Sequence, residues 1–266
     1  MSPLRILSLT VLVMAGTAAG AARATNAGPD PLPAQIAAIA AEVDPRVSDA
    51  IARIDGTGRQ LLALRSYLRS GRNLAERWSW TQEQIAAFEG SPEQLALQKE
   101  VERVRAAFAE ANPGYELWVN PQVRSLDAQV ASWNGNESVA AAAAGLLAAA
   151  LELVSSPQFP GSRPDAAREA LKRFLAAYSP EPTPTVAAPG LSPHGQMRAI
   201  DFQVHRDGQI IAGPVTASIA TDWESAGWAG KLDAAVRASG QRFVGPLANP
   251  REPWHYTYAP DAVAAK

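Results

Sequence analysis

Apolar residues recur at helical spacing over most of the first 110 residues of the chain. The run from Ile36 to Ile54 places an apolar residue every three or four positions, which is typical of a helix with one buried side. A second helical run covers residues 61–74, and a third helix is predicted to begin at Thr81, where Gln84 completes an arrangement close to a capping box. The N-terminal part of the chain is therefore predicted to be helical.

The pattern changes from helical to mixed near residue 112. A helix predicted to begin at Pro92 ends at Asn112, and residues 115–119 then alternate like a β-strand. An alanine-rich helix is predicted over 138–153, with small side chains that suit close packing in a core better than a membrane. Another helix is predicted over 164–178, before a proline-rich loop.

Composition narrows the class of protein. The chain has 266 residues, of which 47% are hydrophobic and 19% charged, as in an ordinary globular protein. A formal net charge of −2 gives no electrostatic reason to expect nucleic acid or anionic lipid as a partner. The chain contains no cysteine, so disulfides and thiolate metal ligands are excluded.

The first residues predict export. One arginine in MSPLR precedes the apolar run ILSLTVLVMAGTAAGAA, and Ala22-Arg23-Ala24 matches the small-x-small pattern of a secretory cleavage site. The strongly apolar part of this run is shorter than the roughly 20 residues that a membrane span needs. We expect residues 1–24 to be a cleaved signal peptide and the mature protein to be periplasmic or secreted, without stable membrane insertion.

Two of the three histidines lie in segments that also contain carboxylates. His194 precedes Asp201 by seven residues, and His255 follows Glu252 by three residues in the segment REPWHYTY. Two imidazoles and one carboxylate make a three-ligand zinc set that leaves a fourth position for water, as a hydrolytic site requires. Zinc lowers the pKa of a bound water to about 7, and Glu252 is then available to take its proton.

The residues around these candidates fit the same site. Pro253 favours an extended conformation of Glu252, and Trp254 can shield the site from bulk water. His205 shares a strand face with Asp201 if the segment is extended, because side chains on a strand repeat every two residues. Three roles are then open to His205: a replacement ligand, a residue that supports a ligand, or an ordinary surface or strand histidine.

These motifs resemble those of the zinc D-alanyl-D-alanine carboxypeptidases and related peptidoglycan peptidases of the lysostaphin, D-Ala-D-Ala peptidase and hedgehog superfamily. Members carry a Ser-x-His with Asp seven residues after the His, and a Glu-Pro-Trp-His near the C-terminus. The positions that match are Ser192, His194, Asp201, Glu252, Trp254 and His255. The resemblance implies one Zn²⁺ per chain, held by the two histidines and the aspartate, with Glu252 as catalytic base.

An upstream segment extends the resemblance. Residues 115–129, YELWVNPQVRSLDAQ, look like the family's strand, Tyr-Arg-Ser segment and following Gln. Arg124 is similar to the family's substrate arginine, since a guanidinium can hold a peptide carboxylate or stabilise charge on the attacked carbonyl. The resemblance thus implies substrate contacts by Arg124, Gln129, Ser192 and Trp254.

The resemblance covers about residues 92–260, with departures at two positions. The family usually has Gly where this chain has Met197, which affects the local backbone and with it the substrate fit. The aromatic that precedes the family's arginine is replaced by Val123. Residues before about 90 have no counterpart in the family.

Together these patterns predict an α+β zinc peptidase with a small antiparallel sheet that carries the metal site and is flanked by helices. Residues 25–90 are predicted to be a helical N-terminal extension, and residues 91–266 the peptidase domain. The expected substrate is a peptidoglycan stem peptide, cut in the manner of a D-alanyl-D-alanine carboxypeptidase. Three alternatives stay open: a cross-link endopeptidase, a non-catalytic cell-wall-binding module that keeps the zinc cage, and a helical scaffold in which the N-terminal region acts.

Overall fold

The computed structural model describes residues 32–240 and 242–260, which adopt the predicted α+β fold. Within these residues the α-helices are α1 (Leu32–Val43), α2 (Pro45–Ala52), α3 (Thr57–Ser70), α4 (Leu74–Arg77), α5 (Gln82–Phe88), α6 (Pro92–Ala111), α7 (Leu126–Gly135), α8 (Glu137–Ser155), α9 (Pro164–Ala177) and α10 (Trp228–Ser239). The strands are β1 (Glu116–Val119), β2 (Ala199–Arg206), β3 (Gln209–Ala212), β4 (Phe243–Val244) and β5 (His255–Tyr258). The predicted signal peptide lies outside the described residues.

Local signals explain where several helices begin. The run predicted over residues 36–54 is divided into α1 and α2, because Pro45 cannot donate a backbone hydrogen bond and Asp44 caps the second helix with its carboxylate. Thr81 and Gln84 form the predicted capping box at α5, in which each side chain bonds the other residue's backbone. The capping box depends only on neighbouring residues, which is why the sequence predicts it, whereas the break at Asp44 was not predicted.

The first apolar cluster is helical and takes residues from both sides of residue 90. Its buried side chains come mainly from α1, α2, α3, α8 and α9. A Cβ on Gly58 of α3 would lie 2.7 Å from the carbonyl oxygen of Ala143 in α8, so these two helices approach closely. By length and composition α8 would suffice to cross a membrane, but one side of it, including Leu146, is buried in this cluster. The domain division at residue 90 stays a prediction.

The second apolar cluster lies between the sheet and helices α6 and α10. Phe108 of α6 and Leu232 of α10 are fully buried there. Alternate residues of β2 are buried in the same cluster, Phe202 and Val204 among them. Because successive side chains of a strand point to opposite faces, Asp201 lies on the face of β2 that is turned away from this cluster.

The central strand β2 holds the antiparallel sheet together. The strand order is β1-β2-β5-β4, and β3 pairs with the last residues of β2. β5 pairs with the first residues of β2 in a register that places Asp201 opposite His255. Directly opposed residues share a face of the sheet, so the pairing brings a carboxylate and an imidazole together from positions 54 residues apart.

Candidate metal centre

The three predicted metal ligands lie on three different elements, and their side chains come together in space. Asp201 of β2 and His255 of β5 are cross-strand partners. His194 lies in a short 3-10 turn, Pro193–Gln196, which precedes β2. Two ligands are thus fixed by strand pairing, whereas His194 is held by a loop.

The ligand atoms form a compact triangle. The Nε2 atom of His194 lies 3.3 Å from the Nδ1 atom of His255 and 3.3 Å from an Asp201 carboxylate oxygen. The Nδ1 atom of His255 lies 3.0 Å from the other Asp201 oxygen. Zinc–ligand distances of about 2.0–2.2 Å place the ligand atoms of a tetrahedral site roughly 3.3–3.6 Å apart. The group can therefore hold a metal ion, and all of its ligand atoms lie within 4.8 Å of one another.

The protonation states of His194 and Asp201 suit a metal. Burial lowers the pKa of His194, so the imidazole is held neutral, although Asp201 acts in the opposite direction. Burial opposes ionisation of Asp201, but its hydrogen bonds with both histidine rings outweigh this and hold its pKa well below the usual range. Neutral imidazoles and an ionised carboxylate are the forms that bind metals.

Glu252 lies beside the triangle and outside the ligand group. Its carboxylate is 3.5 Å from the Nδ1 atom of His255. A tight turn places it there, because the Glu252 amide donates to the Leu247 carbonyl and the Glu252 carbonyl accepts from the His255 amide. Burial raises the pKa of Glu252, and the Asp201 carboxylate adds to this, while His255 and Arg124 oppose it. A carboxylate of raised pKa is a stronger base than an ordinary glutamate.

Arg124 provides a positive charge at the same place. One guanidinium nitrogen lies 3.4 Å from an Asp201 oxygen, and 45% of the Arg124 side chain is exposed. Its backbone amide donates to the His194 carbonyl at 3.1 Å, which ties this loop to the metal centre. Because this guanidinium makes one long contact and faces solvent, some of its N–H groups are available to donate to a ligand.

A cleft of about 510 Å³ opens over these groups. Ser192 and Trp254 line it, and both are largely buried. Trp254 packs against Trp223 with ring centroids 5.8 Å apart, so it forms a fixed wall. Gln129 also lines the cleft, but its side-chain amide bonds to protein groups on both its nitrogen and its oxygen. The predicted substrate contacts of these residues stay predictions.

Two positions that the sequence left open have defined environments. His205 stacks on Trp118, with centroids 6.0 Å apart, and lies outside the group that can hold a metal. Met197 ends the 3-10 turn with a φ of 49°, in the left-handed region that favours glycine. Its side chain is buried in the second apolar cluster, so packing retains a residue that the backbone alone disfavours.

The cleft also contains residues that sequence reasoning missed. Thr257 lines it from β5, and its position two residues after His255 is a signal, since such residues share a strand face. Ser132 and Asn136 of the α7–α8 region and Thr185 line its other side. The sequence gives no signal that these three line a cleft, because only the packing of distant segments brings them there.

Comparisons of the chain with family models, with curated proteins and with solved structures found no match. The family resemblance therefore rests on the motifs themselves. The structural observation that bears on function is the convergence of His194, Asp201 and His255 beside Glu252 and Arg124.

Proposed function

We propose that this protein is a zinc-dependent peptidase that acts on peptidoglycan stem peptides. The single observation that carries the proposal is the three-ligand group with an unligated glutamate at its side. Three protein ligands leave a coordination position for water, which is the arrangement of catalytic rather than structural zinc sites.

The second carboxylate favours hydrolysis over oxidation. Two histidines and one carboxylate also bind iron(II) in oxygenases, so the ligand types alone do not select the metal. Glu252 favours zinc, because a partly buried base 3.5 Å from a ligand atom suits the removal of a proton from water. Metal analysis of the purified protein is expected to give about one zinc per chain.

The residues of the chain divide the hydrolytic step between them. When bound, Zn²⁺ acidifies a water molecule and polarises the carbonyl of the scissile peptide. Glu252 takes a proton from the water while the water oxygen bonds to the carbonyl carbon. The carbon–nitrogen bond then breaks, and Glu252 returns the proton to the leaving amine. Arg124 stabilises negative charge on the substrate, either at the attacked carbonyl or at a free carboxylate.

The choice of substrate rests on two sequence features. The motifs around His194 and His255 resemble those of peptidoglycan peptidases, and residues 1–24 predict export to the compartment where this polymer lies. We favour removal of a terminal D-alanine, because Arg124 supplies the cation that a free carboxylate needs. A cross-link endopeptidase would use the same metal centre but would not need a cation for a free carboxylate.

The test of the proposal is digestion of purified peptidoglycan with and without a zinc chelator, with the released fragments identified by mass. We expect chelator-sensitive loss of D-alanine from pentapeptide stems, restored when zinc is returned. Release of uncross-linked stems without free D-alanine would identify an endopeptidase instead. Binding of peptidoglycan with no released fragment would support the non-catalytic binding module.

Replacement of Arg124 by alanine distinguishes the two roles of its guanidinium. For a stem peptide with a free C-terminal carboxylate, kcat/KM should fall roughly 10- to 100-fold, the value of a hydrogen bond to a charged group. An amidated peptide should lose little, because it has no carboxylate to bind. Zinc content should stay that of the wild type.

The matched control for this variant is Arg198→Ala, since Arg198 is also exposed but does not line the cleft. An equal loss on both peptides would place Arg124 at the attacked carbonyl. Unchanged kinetics on both peptides would contradict any contact between Arg124 and the substrate.

A further inference from the structure

Of the three candidate metal ligands, only His194 lies outside the sheet. Asp201 and His255 are fixed by the pairing of β2 with β5. His194 belongs to residues 189–197, here named the metal loop, whose own secondary structure is one 3-10 turn. A loop that carries a metal ligand needs external supports to keep the ligand in place, because loose ligands weaken a metal site.

Those supports come from residues 76–80, here named the docking segment, which begins in the last residues of α4 and continues beyond that helix. The Ser79 amide donates to the Gly190 carbonyl at 2.8 Å, and the Trp80 amide donates to the Gly195 carbonyl at 2.9 Å. The Gln196 side chain donates to two carbonyls of the segment, one of them that of Trp78 at 2.7 Å. Hydrogen bonds thus hold the metal loop on both sides of His194.

Gln129 joins the docking segment, the metal loop and Arg124. Its side-chain nitrogen donates to the Ser79 hydroxyl and to the Arg124 carbonyl, each at 2.8 Å. Its side-chain oxygen accepts from the Gly190 amide at 3.0 Å. Gln129 is buried, and these bonds use both of its amide hydrogens. Its amide therefore supports the site and does not offer its hydrogens to a substrate.

The contact between the two segments leaves no room for an added methyl group. A Cβ on Gly195 would lie 2.0 Å from the Ser79 Oγ atom and 2.6 Å from its Cβ atom. A Cβ on Gly190, whose φ is +86°, would lie 2.9 Å from the Trp78 ring. The docking segment therefore packs directly against the backbone on either side of His194.

We infer that the docking segment is a positioning element of the metal site, and that Ser79 and Gln129 set metal affinity by fixing His194 against Asp201 and His255. The inference rests on the proposed metal centre and adds a role for the N-terminal helical region. Ser79 and Gln129 act through the loop and contact neither the metal nor the reacting atoms.

The test compares Gly195→Ala with Gly230→Ala in the full chain. An added methyl at Gly230 meets nothing within 4 Å, so that variant controls for the substitution itself. We expect Gly195→Ala to weaken Zn²⁺ binding by about 10- to 100-fold, the range for groups that orient a metal ligand. The visible absorption spectrum of the Co²⁺-loaded protein should change as well, because it reports ligand geometry. Gly230→Ala should leave both properties unchanged.

Two further variants keep the test decisive if Gly195→Ala does not fold. Ser79→Ala removes the acceptor of the Gln129 amide without added bulk, and should also weaken Zn²⁺ binding and alter the Co²⁺ spectrum. Ser79→Gly removes the two atoms nearest the added methyl, so the double variant Ser79→Gly/Gly195→Ala should bind Zn²⁺ more tightly than Gly195→Ala. It should still bind more weakly than the wild type, because the Gln129 amide loses its hydroxyl acceptor and its nitrogen lies 2.7 Å from the added methyl.

The outcomes separate this inference from the proposed function. If the wild type takes up neither Zn²⁺ nor Co²⁺, both the proposed metal centre and the proposed positioning role are overturned. If the wild type binds the metals and the folded Gly195→Ala and Ser79→Ala variants bind them with the same affinity and spectrum, only the positioning role is overturned. Circular dichroism of the metal-free variants establishes that they are folded.

Discussion

The variants His194→Ala and His255→Ala are each expected to lose stoichiometric zinc. Loss of a group that merely orients a ligand costs about 10- to 100-fold in metal affinity, so loss of a ligand itself should cost more than about 100-fold. Removing either imidazole leaves two protein ligands, which make a weak site. Zinc content after dialysis against a mild chelator, together with competition against a zinc indicator, measures the effect.

His205→Ala is the matched control for these variants. His205 is the one remaining histidine of the sequence and lies on the same strand as Asp201, yet outside the group that can hold a metal. Its replacement should leave one zinc per chain. Zinc binding that survives in both His194→Ala and His255→Ala, or that disappears in His205→Ala, would contradict the assigned ligand set.

Glu252→Gln is expected to abolish turnover and to spare the metal. The amide has nearly the shape of the carboxylate but cannot accept the proton, and general-base catalysis typically contributes about 10²- to 10⁴-fold to the rate. The loss should appear in kcat, because the proton is transferred in the transition state and not on binding. Release of D-alanine from a stem pentapeptide and zinc content measured on the same sample report the two properties.

The control is Glu110→Gln, at an exposed glutamate near the end of α6. It should behave as the wild type in both measurements. A Glu252→Gln protein that keeps its turnover would rule out Glu252 as the base. A protein that loses its zinc together with its turnover would make Glu252 a ligand or a structural support.

Much of the fold follows from local sequence, and the misses have identifiable causes. The α+β class, the small antiparallel sheet and the helices from Pro92 and over 164–178 are confirmed. Helix α7 was not predicted, although Ser125 caps it and supplies a usual start signal. Helix α10 was also missed, although Leu232 and Val236 are buried at helical spacing.

The residues that can hold a metal were predicted because they lie in two short stretches of sequence, each of which contains a histidine and a carboxylate. Asp201 lies one short loop from His194, and Glu252 lies one turn from His255. Only the meeting of these two pairs needs the tertiary structure, and the register of β2 with β5 provides it. The supports of the metal loop leave no comparable trace, because Ser79 and Gly195 are polar or small residues without periodicity.

The sequence by itself determined which side chains can hold a metal, where helices α5, α6, α8 and α9 begin and that a sheet follows the helical region. These properties depend on residue type and on neighbours within a few positions, so they can be inferred from the sequence alone. Only the tertiary structure decided that His205 stays outside the metal group, that Gln129 faces protein groups and that the N-terminal region holds the loop of His194. Each of these depends on contacts between distant segments, such as the 2.8 Å bond between Ser79 and Gly190, and packing alone selects such contacts.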